Sequence, residues 1–197
     1  MELKKLVEMS VEDFLEQLSS DCPTPGGGSV AALQAASGAA LIEMVARLTI
    51  GREKFQEHEE LLKGALEIAY RLRIELTDLI DMDTDSYDNV TSAYKLPKGT
   101  EAEKAMRSAA IQDALKMATN IPAETMEKAE QALAIAESVR GKVNPNCASD
   151  LEVAMLNLRA ASMGAWQNVL ANLCGIKDEG FIEVTRARCV ACSKALQ

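Results

Sequence analysis

The sequence predicts an all-α protein, a single domain over residues 1–197 in which long helices pack as an antiparallel up-and-down bundle. Three observations carry this. No alternating β-branched run is bounded by turn signals, so no strand is expected. Apolar residues make up 48% of the chain and aromatics only 4%, which leaves Ala, Leu, Val, Ile and Met to build the core, side chains that suit closely packed helices. Capping residues and short Pro- or Gly-containing connectors recur between apolar patterns of helical period. A chain of 197 residues can bury a sizeable core.

The elements follow in order. Ser10 caps a helix over Val11 to Ser19. Ser29 opens a helix of small residues reaching about Ile50. Glu53 to about Tyr94 reads as one very long helix or two joined, ended by Leu96-Pro97-Lys98-Gly99. Thr100 and Glu103 have the spacing of a capping box for a helix to about Thr119. Pro122 punctuates, because a proline inside a helix removes a hydrogen bond, and a separate helix runs from Ala123 to about Arg140. Gly141 to Cys147 is a loop. Ser149 and Glu152 have the capping-box spacing for a helix to about Cys174, and Asp178 opens the last helix.

Charge and cysteine usage exclude several functions. A net charge of −9 argues against a nucleic-acid or anionic-membrane surface. Met1 to Lys5 lack the apolar core of a signal peptide, and the apolar run from Ser29 to Ile50 contains Gln34, Glu43 and Arg47, so it reads as a buried helix rather than a membrane span. A cytoplasmic protein is expected. The five cysteines do not form a disulfide framework, and Cys189 and Cys192 lack a second Cys or His pair, so no metal site is predicted. The single histidine, His58, lies in a charged run and reads as a solvated helix residue.

Three places break the helical pattern. Pro23-Thr24-Pro25 leads into Gly26, Gly27, Gly28 and Ser29. The glycines let the backbone approach a neighbour closely, and the free N–H groups of the helix start would attract carbonyl oxygens or negative charge. The same loop would also serve as a tight connector. On the long helix, Leu72, Leu76, Leu79, Asp83, Tyr87, Val90 and Tyr94 alternate in fours and threes, a core-facing stripe with one acid in it. Asp81, Asp85 and Asp88 fall on other faces, where carboxylates stay solvated. An inward Asp83 must be paired, hydrogen-bonded or protonated. That suits either a catalytic acid or base or a structural acid that caps a neighbouring helix. Further on, Asp150, Ala154, Asn157, Ala161, Gly164, Asn168 and Asn172 share one stripe. It suits either a flat heterocycle read by amides or a small-residue helix crossing. Arg52, Lys54, Lys95 and Lys98 lie near these elements; singly each reads as an ordinary surface charge, and together they would receive an acidic ligand tail.

Several segments in order resemble the cyclodeaminase family, the C-terminal domain of formiminotransferase-cyclodeaminase and its stand-alone bacterial relatives, which include methenyltetrahydrofolate cyclohydrolases. The resemblance starts with Pro23-Thr24-Pro25-Gly26-Gly27-Gly28-Ser29-Val30-Ala31-Ala32 and Met44-Val45-Ala46-Arg47-Leu48-Thr49. It continues through Asp83-Thr84-Asp85-Ser86-Tyr87 and Tyr94-Lys95-Leu96-Pro97-Lys98. It closes with Asn144-Pro145-Asn146-Cys147-Ala148-Ser149-Asp150 and Asn168-Val169-Leu170-Ala171-Asn172-Leu173. With nothing before the first helix, the transferase domain is expected to be missing.

The resemblance implies an enzyme acting on a tetrahydrofolate derivative, without a metal, as a homodimer or a ring of dimers with its site near a subunit interface. The leading expectation is a formiminotetrahydrofolate cyclodeaminase, in which a folate nitrogen attacks the formimino carbon and ammonia leaves. The second is a methenyltetrahydrofolate cyclohydrolase, in which water attacks the methenyl carbon and the ring opens. Either needs one proton shuttle, for which Asp83 is the candidate. Asp150, Asn168 and Asn172 would orient the pterin, Asn146 would also bind the substrate, the backbone from Gly26 to Ser29 would contact the ligand, and Lys95 or Lys98 would meet its glutamate tail. A helical oligomerisation scaffold without catalysis is the expectation of another class.

Overall fold

The computed structural model describes residues 5–192, so most of the stretch read for a signal peptide lies outside the described residues. Six α-helices follow one another: α1 Val11–Leu18, α2 Gly27–Arg47, α3 Glu59–Tyr94, α4 Glu101–Val139, α5 Ala148–Leu173 and α6 Glu179–Cys192. Short 3-10 turns cover Leu6–Glu8, Glu53–His58 and Pro145–Cys147. Among the described residues there is no strand.

Helices α2, α3, α4 and α5 form the bundle, each packed on the next and α5 packed back on α2. Cross-helix pairs give their directions. On α2 and α3, Ser29 meets Asp83 and Glu43 meets Arg73. On α3 and α4, Tyr94 meets Arg107 and Glu75 meets Lys128. On α4 and α5, Ala118 meets Asn172 and Glu137 meets Arg159. One number rises as the other falls, so neighbours are antiparallel, as the short connections require. Two of those connections turn through glycines with positive φ, Gly51 at 79° and Gly141 at 76°.

The core is aliphatic and rich in alanine. Ala32, Ala35 and Ala39 of α2, Ala154 and Ala161 of α5, and Leu72 and Leu76 of α3 are buried together. Small residues bring α2 and α5 close: a Cβ on Gly38 would lie 2.6 Å from Leu158 Cγ and 3.1 Å from the Ala154 carbonyl. α2 has the length and apolarity to cross a membrane, but most of it is buried inside the bundle. Its one buried acid, Glu43, is bridged by Arg47 and Arg73.

Several local expectations hold. Ser10 caps α1 by accepting from the Asp13 N–H at 3.0 Å. Thr100 and Glu103 form the capping box of α4. Asp178 caps α6 through the Phe181 N–H. Three differ. The Ser149–Glu152 box is not formed: α5 already begins at Ala148 after Cys147, without a side-chain cap, and Glu152 pairs with Arg140. Asp81 is not left to solvent but accepts the Leu6 N–H at 2.6 Å, which ties the N-terminal turn to α3.

The third difference is Pro122, which lies buried inside one continuous 39-residue helix rather than between two. A proline at 122 leaves the carbonyl of Ala118 without its helical donor. Asn172 of α5 supplies one, its Nδ2 standing 2.9 Å from the Ala118 oxygen. Replacing Asn172 by alanine should therefore leave a carbonyl unsatisfied at the helix crossing and lower stability by about 1–3 kcal/mol. Chemical denaturation of the two proteins measures this, and an unchanged midpoint would show that the carbonyl finds water instead.

Candidate active site

Beyond Asp83 the inward stripe of α3 is only partly covered, with Val90 packed at the edge of a second core cluster. Leu72, Leu76 and Leu79 are fully buried, whereas Tyr87 and Tyr94, further along the same stripe, are 44% and 52% exposed. The cause is the length of α2. It begins at Gly27, beside Asp83, so the remaining turns of α3 run on past it. Asp83 is thus held half-buried at the mouth of the bundle, where the glycine loop enters α2.

The loop and the acid are fitted to each other. A Cβ on Gly28 would stand 2.0 Å from Asp83 Oδ1 and 2.5 Å from its Cγ, so the carboxyl occupies the space that a side chain would fill. Ser29 Oγ donates to Asp83 Oδ2 at 2.9 Å, and the Ser29 backbone N–H also acts on the carboxyl. Ser29 does not cap α2. The helix starts two residues earlier, with Gly26 as N-cap and no side-chain cap of its own. This leaves the serine hydroxyl in the first turn, turned across the bundle. Asp83 therefore meets part of the demand for an acceptor that every helix start creates.

Burial pushes the Asp83 carboxyl above its ordinary value, and the hydrogen bonds from Ser29 hold part of that rise back. No cation is among the groups that act on it. A carboxyl so placed passes a proton more readily at neutral pH than a solvated one. Asn168 of α5 completes the cluster. Its amide lies 3.5 Å from where a Gly27 Cβ would be, and its Nδ2 donates to the Gly164 carbonyl at 2.9 Å, so its orientation is fixed.

Two hollows lie along α3 on either side of this cluster in sequence, though neither is lined by Asp83, Gly28, Ser29 or Asn168. An apolar cleft of about 250 Å³ lies between α1 and the bundle, lined by Phe14, Leu18, Val30, Leu33 and Ile80 among others. A recess of about 340 Å³ runs between Met82, Asp85, Ser86 and Asn89 of α3 and Met117 and Asn120 of α4.

The other residues expected at the site lie apart from it in one chain. Asp150 stands in the first turn of α5, about 27 Å along the helix from Asn168, and Asn146 precedes it, exposed, in the turn Pro145–Cys147. That end of the bundle is the far end of α2, where the Asn144 N–H donates to Thr49. Asn172 is engaged with Ala118. Lys95 and Lys98 are exposed beyond the end of α3, Lys95 about 18 Å along the axis from Asp83. Arg52 and Lys54 lie near the start of α3, so the four basic residues form no single cluster. The polar stripe of α5 divides as well: Ala154 and Ala161 are buried in the bundle core, and Gly164 faces Ala31.

Among the described residues no three His, Cys, Asp or Glu side chains gather as a metal site. His58 lies in a 3-10 turn beside Glu57. Burial raises both Cys189 and Cys192, the latter to about 11, so neither is a ready thiolate. Thr84, whose Oγ1 stands 3.4 Å from Ser29 Oγ, belongs to the cluster too. Periodicity gave no sign of it, because it lies off the Asp83 stripe.

A model of the formiminotransferase-cyclodeaminase family matches residues 10–191. The methenyltetrahydrofolate cyclohydrolase of Methylorubrum extorquens is 45% identical over 174 residues, 88% of this chain and 84% of that protein. The formimidoyltransferase-cyclodeaminase of Rattus norvegicus is 35% identical over 94% of this chain, which spans 34% of the rat protein's length. In three dimensions the chain is similar to the formiminotetrahydrofolate cyclodeaminase of Thermotoga maritima, with a TM-score of 0.79, 29% identity, and coverage of 94% of this chain and 92% of that one.

Proposed function

The chain belongs to the formiminotransferase-cyclodeaminase family, and on that premise we propose that it is a folate one-carbon enzyme, a methenyltetrahydrofolate cyclohydrolase. The observation that carries the reading is a half-buried carboxyl, without a cation, set over Gly28 in the first turn of α2. The choice of reaction rests on the M. extorquens relative, at 45% identity over most of both chains.

In the proposed reaction water adds to the methenyl carbon of the bound cation. Asp83 takes one proton from that water as the carbon–oxygen bond forms. The tetrahedral centre then collapses to a formyl group, and the bond to one folate nitrogen breaks. Asp83 returns a proton to that nitrogen, and the second proton of the water is released. Neither step needs a covalent intermediate on the protein, only position and one proton carrier. The Gly27 and Gly28 backbone and Asn168 would hold the pterin end. Lys95 and Lys98 are far enough away to meet only the tail of an elongated ligand.

Loss of methenyltetrahydrofolate absorbance in the presence of the protein tests this, and decay no faster than in buffer would remove the proposal. The T. maritima neighbour favours a second reading, formiminotetrahydrofolate cyclodeaminase. Ammonia release from the formimino substrate, with the methenyl compound untouched, would establish that reading instead.

A homodimer belongs to this proposal. Since α5 separates Asp150 from Asn168 by about 27 Å, Asn146 and Asp150 can serve the Asp83 cluster only from a second copy. Mixing inactive Asp83→Asn and Asp150→Asn proteins should then restore part of the activity, because some mixed dimers carry one intact site. No recovery would leave Asp150 outside the site.

A further inference from the structure

The remaining threonines of α3 and α4 treat their hydroxyls alike. Thr77, Thr91, Thr119 and Thr125 each donate to the carbonyl four residues back, at 2.7 to 3.1 Å. This is the usual use of a helical threonine. Thr84 departs from it: its hydroxyl faces Ser29 Oγ, across the helix interface at 3.4 Å.

A serine hydroxyl has one proton and two acceptor positions. Ser29 uses its proton on Asp83 Oδ2, so in the contact with Thr84 the threonine must be the donor. We propose that Thr84 is a positioning residue for Asp83: by donating to Ser29 it keeps the serine proton on Oδ2, so the carboxyl's own proton is carried on Oδ1, over Gly28. Without that donor, Ser29 is free to turn its proton away and accept the one on Asp83, which takes it out of reach of a substrate. This deepens the folate reading and rests on it, since Oδ1 is the oxygen left to face a ligand.

Few other groups bear on the proton of Asp83. α2 from Gly27 to Ile42 and α5 from Ala160 to Leu173 carry no titratable side chain. α3 itself contributes Asp81, engaged with the Leu6 N–H, the exposed Asp85 and Asp88, and the exposed Tyr87 one turn along the same stripe. Opposite this part of α3, α4 offers Asp113, Lys116, paired with Asp178, and Glu124, paired with Lys128.

The test is a carbon-13 NMR titration of the Asp83 carboxyl in the ligand-free protein, with pH profiles of kcat beside it. Thr84→Val should move the carboxyl midpoint up, because the hydrogen bond that favours the ionised form is weakened. It should also lower kcat about tenfold, because the charge-assisted bond from Ser29 to Asp83, which Thr84 holds in place, is of about that size, with KM little changed. Thr84→Ser keeps the donor and should restore both. If Thr84→Val fails to fold, Thr84→Ala serves in its place. A wild-type midpoint in the valine or alanine variant, or a serine variant that shifts as far as they do, overturns the proposal. The titration needs no substrate, so wild-type protein inactive on both folates would sink the folate reading and leave the hydroxyl chain to the NMR result.

Discussion

Asp83→Asn should lower turnover by about 10²–10⁴-fold while the protein stays folded and still binds a reduced folate. Asparagine keeps the shape of the side chain and can still accept from Ser29, but it cannot carry the proton. Steady-state rates and a folate-dependent rise in melting temperature separate the two effects. Turnover within a few-fold of wild type would remove Asp83 from the chemistry. Stability should move in the opposite sense to activity. The folded-state value of this carboxyl lies above its ordinary 3.8, so the native state holds the proton more tightly than the unfolded chain. Between those two values wild type loses stability as pH rises, and above them the loss is complete and constant. The asparagine variant lacks this titration. Its advantage over wild type should grow with pH through that window and then level off at neutrality. Melting curves from pH 3 to 8 would show it, and parallel curves would mean that burial of the carboxyl costs nothing.

Gly28→Ala should be nearly as damaging to activity, by a different route. The new methyl group would lie 2.0 Å from Asp83 Oδ1 and 2.7 Å from Oδ2. Atoms cannot share that space, so the carboxyl must swing away and lose the Ser29 bond, or α2 must move from α3. We expect turnover to fall by at least about a hundredfold, with a stability loss of about 1–3 kcal/mol from overpacking. The same change at Gly27, where the nearest atom is the Asn168 amide at 3.5 Å, should be mild. Turnover and unfolding midpoints of the two variants make the comparison. Equal behaviour would mean that the fit between Gly28 and Asp83 is not what shapes the site.

The cluster was half visible along the chain. Asp83 could be found because it stands on the stripe of Leu72, Leu76 and Leu79, and the glycines because three in a row let a backbone approach closely, a property that a tight connector would use equally. Asn168 followed from its own stripe on α5. Spacing already sets its first member, Asp150, and its late member, Asn168, about 27 Å apart along one helix; what it could not show was which end of that helix meets Asp83. Helical periodicity reports which face a residue is on and nothing about which neighbour covers that face. Thr84 was missed for the same reason. Its partner Ser29 is 55 positions away, and its position on the wheel was unremarkable.

The helices themselves, their direction of packing and the inward turn of Asp83 were encoded locally, in apolar spacing, in caps such as Ser10 and Thr100, and in the short connections. These depend on residues within a few positions of one another, so the chain alone determines them. The continuity of α4 and the role of Ser29 were decided elsewhere. Pro122 would break an isolated helix, but Asn172 from α5 takes up the carbonyl it orphans. Ser29 reads as a cap, but Asp83 from α3 lets α2 start earlier and turns the serine into its donor. In each case a backbone or hydroxyl group left unsatisfied by its own helix found a partner on another, and only the packed bundle brings such partners within hydrogen-bond distance.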